Sequence, residues 1–169
     1  MSTNNGSFHQ LGFFVYSFQM VEQQVEDIIV LLMNADDEMV AIFMSELDFS
    51  EKLKTVDVLF SRFIDVRREL KGADKKAFHK VISQVIKLCE RRNEILHSKY
   101  DTYQNVDGRL GLIRQNSRLR ASKGVREMSE EELLPEALDT DVKNISSCLE
   151  ELEVYRLKVL DWIYETDGA

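Results

Sequence analysis

The chain has 169 residues, of which 44% are hydrophobic, so it can bury the core of one domain without disulfide or metal staples. One proline and seven glycines disfavour a turn-rich β architecture and favour long helices. The two cysteines lack the close spacing of a zinc or redox pair, and charges interrupt every apolar stretch before the about 20 residues that a membrane span needs. These features predict a single helical domain over residues 1–169, in a reducing cytoplasmic setting and without a membrane segment.

Charge is distributed unevenly along the chain, whose net charge is −8. From Arg62 to Arg126 there are 17 basic against 7 acidic residues, and the remainder has 5 against 23. Two interpretations stay open. Helices of opposite charge attract one another inside the protein, or the basic middle third forms a surface that binds a polyanion.

The first predicted element is a long amphipathic helix. Seven apolar residues recur on one of its faces at spacings of three and four: Leu11, Phe14, Phe18, Val21, Val25, Ile28 and Leu32. A shorter amphipathic segment follows and runs through Val40, Phe43 and Leu47. Asp48, with Glu51 three residues later, then predicts a capping box for a third helix that ends near Gly72.

Asp74 is the predicted cap of a fourth helix. The stripe of this helix repeats at spacings of four and three: Phe78, Ile82, Val85, Cys89, Arg92 and Leu96. Arg92 therefore occupies a position where an apolar residue is expected.

Residues 100–128 lose the helical period and contain Asp107-Gly108, a frequent hairpin turn, which predicts a short β-hairpin or loop insertion. Ser129 and Glu132 fit a capping box for the last helix, although Pro135 fits a first turn better than a helix interior. The predicted fold class is all-α: an antiparallel helical bundle of four to five helices that carries this insertion.

The candidate chemistry lies late in the fourth helix. Asn93 and His97 are one turn apart on the same face, and the long Arg92 side chain can reach toward them. A buried guanidinium without a partner would cost several kcal/mol, so Arg92 needs a carboxylate from another helix, a polar cavity or an anionic ligand. Glu94 and His97 also match the Glu-x-x-His unit of di-iron bundles, which need two such units. The sequence holds one unit; a symmetric dimer could supply the second, with Glu22 or Glu26 as extra ligands, but a four-residue match arises easily by chance. We therefore predict neither a metal site nor a cofactor.

The run Arg92-Asn93-Glu94-Ile95-Leu96-His97 resembles the Arg-x(4–6)-His motif of the HEPN superfamily, in particular its bacterial toxin and defence ribonucleases. Arg91 also satisfies the spacing, with one more intervening residue. The resemblance implies a homodimer in which two motifs face each other, and metal-independent cleavage of single-stranded RNA. Arg92 and His97 would be catalytic, with Asn93 in support.

Further residues are expected to bind the RNA. Aromatic residues just beyond the motif, Tyr100 and Tyr103, have rings suited to stacking on bases, and the arginines could contact phosphates. The substrate-binding set is Arg91, Tyr100, Arg114, Arg118 and Arg120. The alternative is a non-catalytic HEPN-like module that binds a nucleotide or a protein partner, such as a cognate antitoxin. The two functions differ in whether Arg92 and His97 line an open cleft or are consumed by contacts within one protomer.

Overall fold

The computed structural model describes residues 5–67, 72–120 and 124–167 and, within these ranges, all side chains except those of residues 5, 118–120 and 165–167. The helices and strands of this part of the chain are α1 (Asn5–Met33), α2 (Asp37–Ser45), α3 (Phe49–Val66), α4 (Ala73–Leu96), β1 (Lys99–Gln104), β2 (Leu110–Arg120), β3 (Val125–Leu133) and α5 (Asp139–Asp167). None of the helices described is long and apolar enough to cross a membrane.

The prediction of an all-α fold is wrong, because a three-stranded antiparallel sheet in the order β1-β2-β3 stands between α4 and α5. The expected hairpin or loop at 100–128 covers only part of this sheet. Ser129 and Glu132 lie in β3, opposite Asn116 and Ile113 of β2, so they do not cap a helix. The last helix begins after the turn that contains Pro135.

The third strand escaped prediction because its stabilisation comes from pairing with the preceding strand and not from a pattern in its own residues. The register sets Arg114 across from Glu131 and Arg118 across from Glu127. Opposite charges that face each other across antiparallel strands stabilise the ladder. The acidic β3 therefore forms a strand by pairing with the basic β2. Its own residues show no alternating apolar pattern that would predict a strand.

Two of the predicted local signals are confirmed in detail. The backbone amide of Glu51 donates to Asp48 Oδ1 at 2.9 Å, and the amide of Asp48 donates to Glu51 Oε2 at 3.3 Å, which completes the capping box of α3. Gly108 has a φ of +79° in the turn between β1 and β2, a conformation that glycine adopts without strain. The prediction for Asp74 is wrong, because α4 begins at Ala73 and Asp74 lies inside its first turn.

The core follows the predicted helical stripes. α1 buries Phe14, Phe18, Val21, Val25 and Ile28 completely or nearly so. α4 follows its stripe as far as Cys89, but Ile95 is then buried in place of Leu96, which stays exposed. The last turn of α4 thus presents a large apolar side chain to the outside, beside the candidate motif.

α1 and α5 lie side by side and run in the same direction. Gln10 bonds to Asp139 at 2.5 Å near the start of both helices, and Gln24 bonds to Glu153 further along. This register places the beginnings of the two long helices together.

α4 runs in the opposite direction along α5. Lys158, late in α5, pairs with Asp74 at the start of α4 at 2.8 Å, and Arg91, late in α4, pairs with Asp141 at the start of α5 at 3.1 Å. The end of α4, with the candidate motif, therefore lies beside the starts of α1 and α5 and next to the sheet.

Candidate functional site

The candidate motif spans the last turn of α4 and the residue that follows it. Arg92 and Asn93 belong to the helix, and His97 is its C-cap, with φ −97° and ψ 14°. The backbone amide of His97 donates to the carbonyl of Asn93 at 3.1 Å. The imidazole projects into solvent from the end of the helix, because His97 is exposed.

Arg92 is half-buried against α1. Its Nη1 donates to Asn93 Oδ1 at 3.1 Å, and its guanidinium carbon lies 5.5 Å from the centre of the Phe18 ring. Its Nη2 is 3.5 Å from Glu22 Oε1, an ion pair that is too long for a good hydrogen bond. A guanidinium has five N–H donors, and within the described part of the chain one of them is used in a hydrogen bond. Arg92 therefore keeps several donors for another acceptor.

The preceding residue, Arg91, uses its donors in contacts with two other elements of the protein. Arg91 donates from Nη1 and Nη2 to both carboxylate oxygens of Glu131, at 2.9 and 2.6 Å, and from Nε to Asp141 at 3.1 Å. These contacts raise the pKa of Arg91, chiefly through the hydrogen bonds to Glu131, and the same bonds lower the pKa of Glu131. Arg91 joins α4 to β3 and α5, so its assignment to RNA binding stays a prediction that these contacts do not favour.

Arg114 extends the same network into the sheet. Its side chain is buried, with 6% of the residue exposed. Its Nε donates to Glu131 at 2.8 Å, and its Nη1 donates to Ser98 Oγ at 3.2 Å. Ser98 Oγ donates in turn to the carbonyl of Glu94. The network thus attaches the sheet to the end of α4, and this burial does not favour Arg114 as an RNA contact, which stays a prediction.

The other expected contacts have varied environments. Tyr100 is half-buried, its hydroxyl donates to the carbonyl of Ile95 at 2.7 Å, and burial raises its pKa. Tyr103 donates to Glu132 at 2.9 Å. Arg118 and Arg120 belong to β2, but their side chains lie outside those that the structure describes.

Glu22 is a carboxylate on another helix, which is one of the three environments that the sequence left open for Arg92. Burial raises its pKa, and the attraction of Arg92 and then of Lys52 opposes that rise without cancelling it. Gln19 also donates to Glu22 Oε2 at 3.1 Å. Arg92 Nη2 and Glu22 Oε1 are 3.5 Å apart, so this pair holds the guanidinium by charge attraction without a good hydrogen bond.

An apolar groove lies beside the motif, between the start of α1 and the end of α4. It has a volume of about 480 Å³, and its lining includes Phe8, Gly12, Tyr16, Leu96 and Tyr100. His97 follows Leu96 directly in the chain, so the C-terminal end of α4 adjoins this groove. No motif in the sequence indicated the groove, although the aromatic residues at the start of α1 were visible.

Among the residues described, no group of three or more His, Cys, Asp and Glu side chains could hold a metal ion. Compared with known proteins, the chain matches no protein-family model, no curated protein and no solved structure. The residues and geometry of this chain are therefore the basis of the proposals that follow.

Proposed function

We propose that this protein is a metal-independent endoribonuclease that cleaves single-stranded RNA as a homodimer of the toxin, defence or stress-response kind. Arg92 and His97 are its catalytic residues, and Asn93 holds the Arg92 guanidinium in place. The observation that carries the proposal is the contrast between two adjacent arginines. Arg91 donates three hydrogen bonds to carboxylates, whereas Arg92 has one hydrogen bond and a long ion pair in the described structure.

The chemistry is a transfer within the RNA. The 2′-oxygen attacks the adjacent phosphorus, the bond from phosphorus to the 5′-oxygen breaks, and the products are a 2′,3′-cyclic phosphate and a 5′-hydroxyl. One proton leaves the 2′-hydroxyl and one is added to the departing oxygen, and an imidazole titrating near neutral pH can perform either transfer. A guanidinium stabilises the charge that develops on the phosphoryl oxygens.

A second copy would supply the second imidazole. One His97 cannot remove a proton and donate another in the same step. In addition, Arg92 packs against α1, whereas His97 caps the end of α4. Two motifs brought together across a two-fold axis would provide one base and one acid.

The face of α1 next to the groove fits such an interface. Residues 6–21 contain no Asp, Glu, Lys or Arg. On the outside of this stretch, Phe8, Phe13, Tyr16 and Met20 are between 44% and 64% exposed. Contiguous apolar surface without charge is typical of the centre of a protein interface. We call this set, together with Gly12 and Leu96, the α1 patch.

Gly12 lies in the middle of the α1 patch. A Cβ added there would meet nothing within 4 Å, so no contact within the protomer requires a glycine. Glycine inside a helix costs roughly 0.5–1 kcal/mol relative to alanine. Close approach of a helix from a second copy explains why a small residue stands at this exposed position.

We expect Gly12→Arg to convert the dimer to a folded monomer. The protomer has room for the side chain, whereas two arginines in one uncharged interface would be buried without partners. Light scattering at micromolar concentration should give the mass of one chain, with an unchanged circular dichroism spectrum. Val154→Arg, at an exposed position of α5, is the matched control and should stay dimeric. A Gly12→Arg variant that remains a dimer contradicts this interface.

The experiment that tests the proposed function uses purified protein and a mixed pool of single-stranded RNA, with and without a chelator. We expect cleavage in both conditions and products ending in 2′,3′-cyclic phosphate. No cleavage at any protein concentration, or cleavage that the chelator abolishes, contradicts the proposal.

A non-catalytic binding module is the second candidate. It is favoured by the acidic surroundings of Asn93, whose neighbouring groove of about 380 Å³ is also lined by Glu90, Glu94 and Asn116. Two carboxylates beside the motif repel an RNA phosphate. In this alternative, Glu22 and Arg92 form a structural ion pair, and the same dimer binds a protein or a nucleotide.

A further inference from the structure

The short helix α2 exposes a second apolar surface, at the other end of α1. Met39, Ile42 and Phe43 are between 55% and 70% exposed, and their spacing places them along one side of the helix. The opposite side is buried through Val40 and Met44. Three large apolar residues on the outer side of a nine-residue helix form one contiguous patch, unlike the isolated exposed apolar side chains of most protein surfaces.

Acidic residues lie at both ends of α2, with Asp37 and Glu38 in its first turn and Glu46 as its C-cap. Asp37, Glu38 and Glu46 are exposed, and none of the three has an ion-pair partner in the described structure. The first basic residue of the chain is Lys52, and its ammonium group is 2.6 Å from Glu26. Among the described residues, no ion pair therefore neutralises these three carboxylates, although Arg156 lines the same groove as Asp37.

We propose that α2 is a docking site for a basic amphipathic helix of another protein, in which Lys and Arg flank an apolar face. Met39, Ile42 and Phe43 would contact the apolar face, and the three carboxylates would pair with the flanking cations. Methionine adapts to irregular partner surfaces, as this role requires.

Charge complementarity selects this occupant over others. The same helix from a second copy would set like charges against each other, which disfavours that pairing. Anionic lipid surfaces and nucleic acid are repelled by the same carboxylates. A cationic and apolar peptide satisfies both parts of the surface.

The α2 site is separate from the proposed catalytic site. Gly12 and Met33 are 21 residues apart on α1, which corresponds to about 30 Å along a helix axis. A partner on α2 therefore leaves the α1 patch uncovered. Failure of this proposal and failure of the ribonuclease proposal are distinguishable, because α2 variants should cleave RNA like the wild type if the chain is a nuclease.

The probe is an 18-residue fluorescein-labelled peptide of leucine and lysine, with leucines at helical spacing on one face. A peptide of the same composition with the leucines scattered around the helix is the control. Fluorescence anisotropy with the full-length protein should show at least tenfold tighter binding of the amphipathic peptide. Because charges contribute, this binding should weaken as salt is raised.

Two sets of variants assign the binding to α2. Ile42→Ala with Phe43→Ala, both helix-compatible, should weaken binding at least tenfold with an unchanged melting temperature, and Asp37→Asn with Glu38→Gln and Glu46→Gln should remove most of the salt dependence. Val106→Ser, at a fully exposed turn position, should bind like the wild type.

Equal binding of both peptides, or unchanged binding by the Ile42 and Phe43 double variant, overturns the proposal. So does sedimentation showing that this double variant loses self-association without any peptide, because the occupant of α2 is then a second copy of the chain.

Discussion

Arg92→Ala and His97→Ala should each abolish RNA cleavage. Loss of general acid–base help typically costs about 10² to 10⁴-fold in rate, and loss of a group that stabilises a developing oxyanion costs about 10² to 10³-fold. Cleavage of a labelled single-stranded RNA, followed over time with excess chelator, should fall below detection for both variants. His97 is exposed at the end of α4, so its replacement should leave the fold intact.

His79→Ala is the matched control for this prediction. His79 lies near the beginning of α4, is exposed and pairs with Asp57 at 2.6 Å, far from the motif. Its replacement should leave the cleavage rate within about twofold of the wild type, because it removes an imidazole that no substrate contacts. Full activity of either motif variant would show that the proton transfers are performed elsewhere in the chain.

Arg91→Ala should destabilise the protein strongly, whereas its neighbour Arg92→Ala should not. Removing one partner of a fully buried ion pair costs about 3 to 5 kcal/mol. Arg91, Glu131 and Asp141 keep between 19% and 30% of their side-chain surface exposed, so we expect about 2 to 3 kcal/mol for Arg91→Ala. Arg92→Ala should cost less than about 1 kcal/mol, because its ion pair with Glu22 is long, at 3.5 Å, and lacks a good hydrogen bond.

The difference in unfolding free energy between the wild type and Arg91→Ala should depend on pH, and its sign follows from the pKa of Glu131. Arg91 lowers the pKa of Glu131 below its usual value of 4.5, so the carboxylate stabilises the fold above that value. That contribution is lost as the pH falls through the lowered pKa of the folded state. Urea unfolding from pH 7 to pH 3 should therefore show the gap between wild type and Arg91→Ala shrinking toward acid. A gap that is constant with pH would contradict the stabilising pair of Arg91 and Glu131. An Arg92→Ala variant that loses 3 kcal/mol or more would favour the structural interpretation of the motif.

The local elements could be read from the sequence wherever the signal lies within one segment. The stripe of α1, the capping box of Asp48 with Glu51 and the turn at Gly108 each depend on residues a few positions apart. β3 could not be read in this way, because its glutamates are satisfied by β2 across the ladder. The same limit explains Leu96, whose exposure depends on how the end of α4 meets α1.

The sequence by itself determined that the chain is mainly helical and that a cation, an amide and an imidazole lie together late in α4. It could not determine which of two adjacent arginines is available, because Arg91 and Arg92 have the same chemistry and both satisfy the spacing. Tertiary structure decided this, since a step of about 100° around the helix turns Arg91 toward Glu131 and Asp141, and Arg92 toward α1. The partners of each guanidinium come from segments distant in the chain. Only their packing left Arg92 with hydrogen-bond donors that are not used.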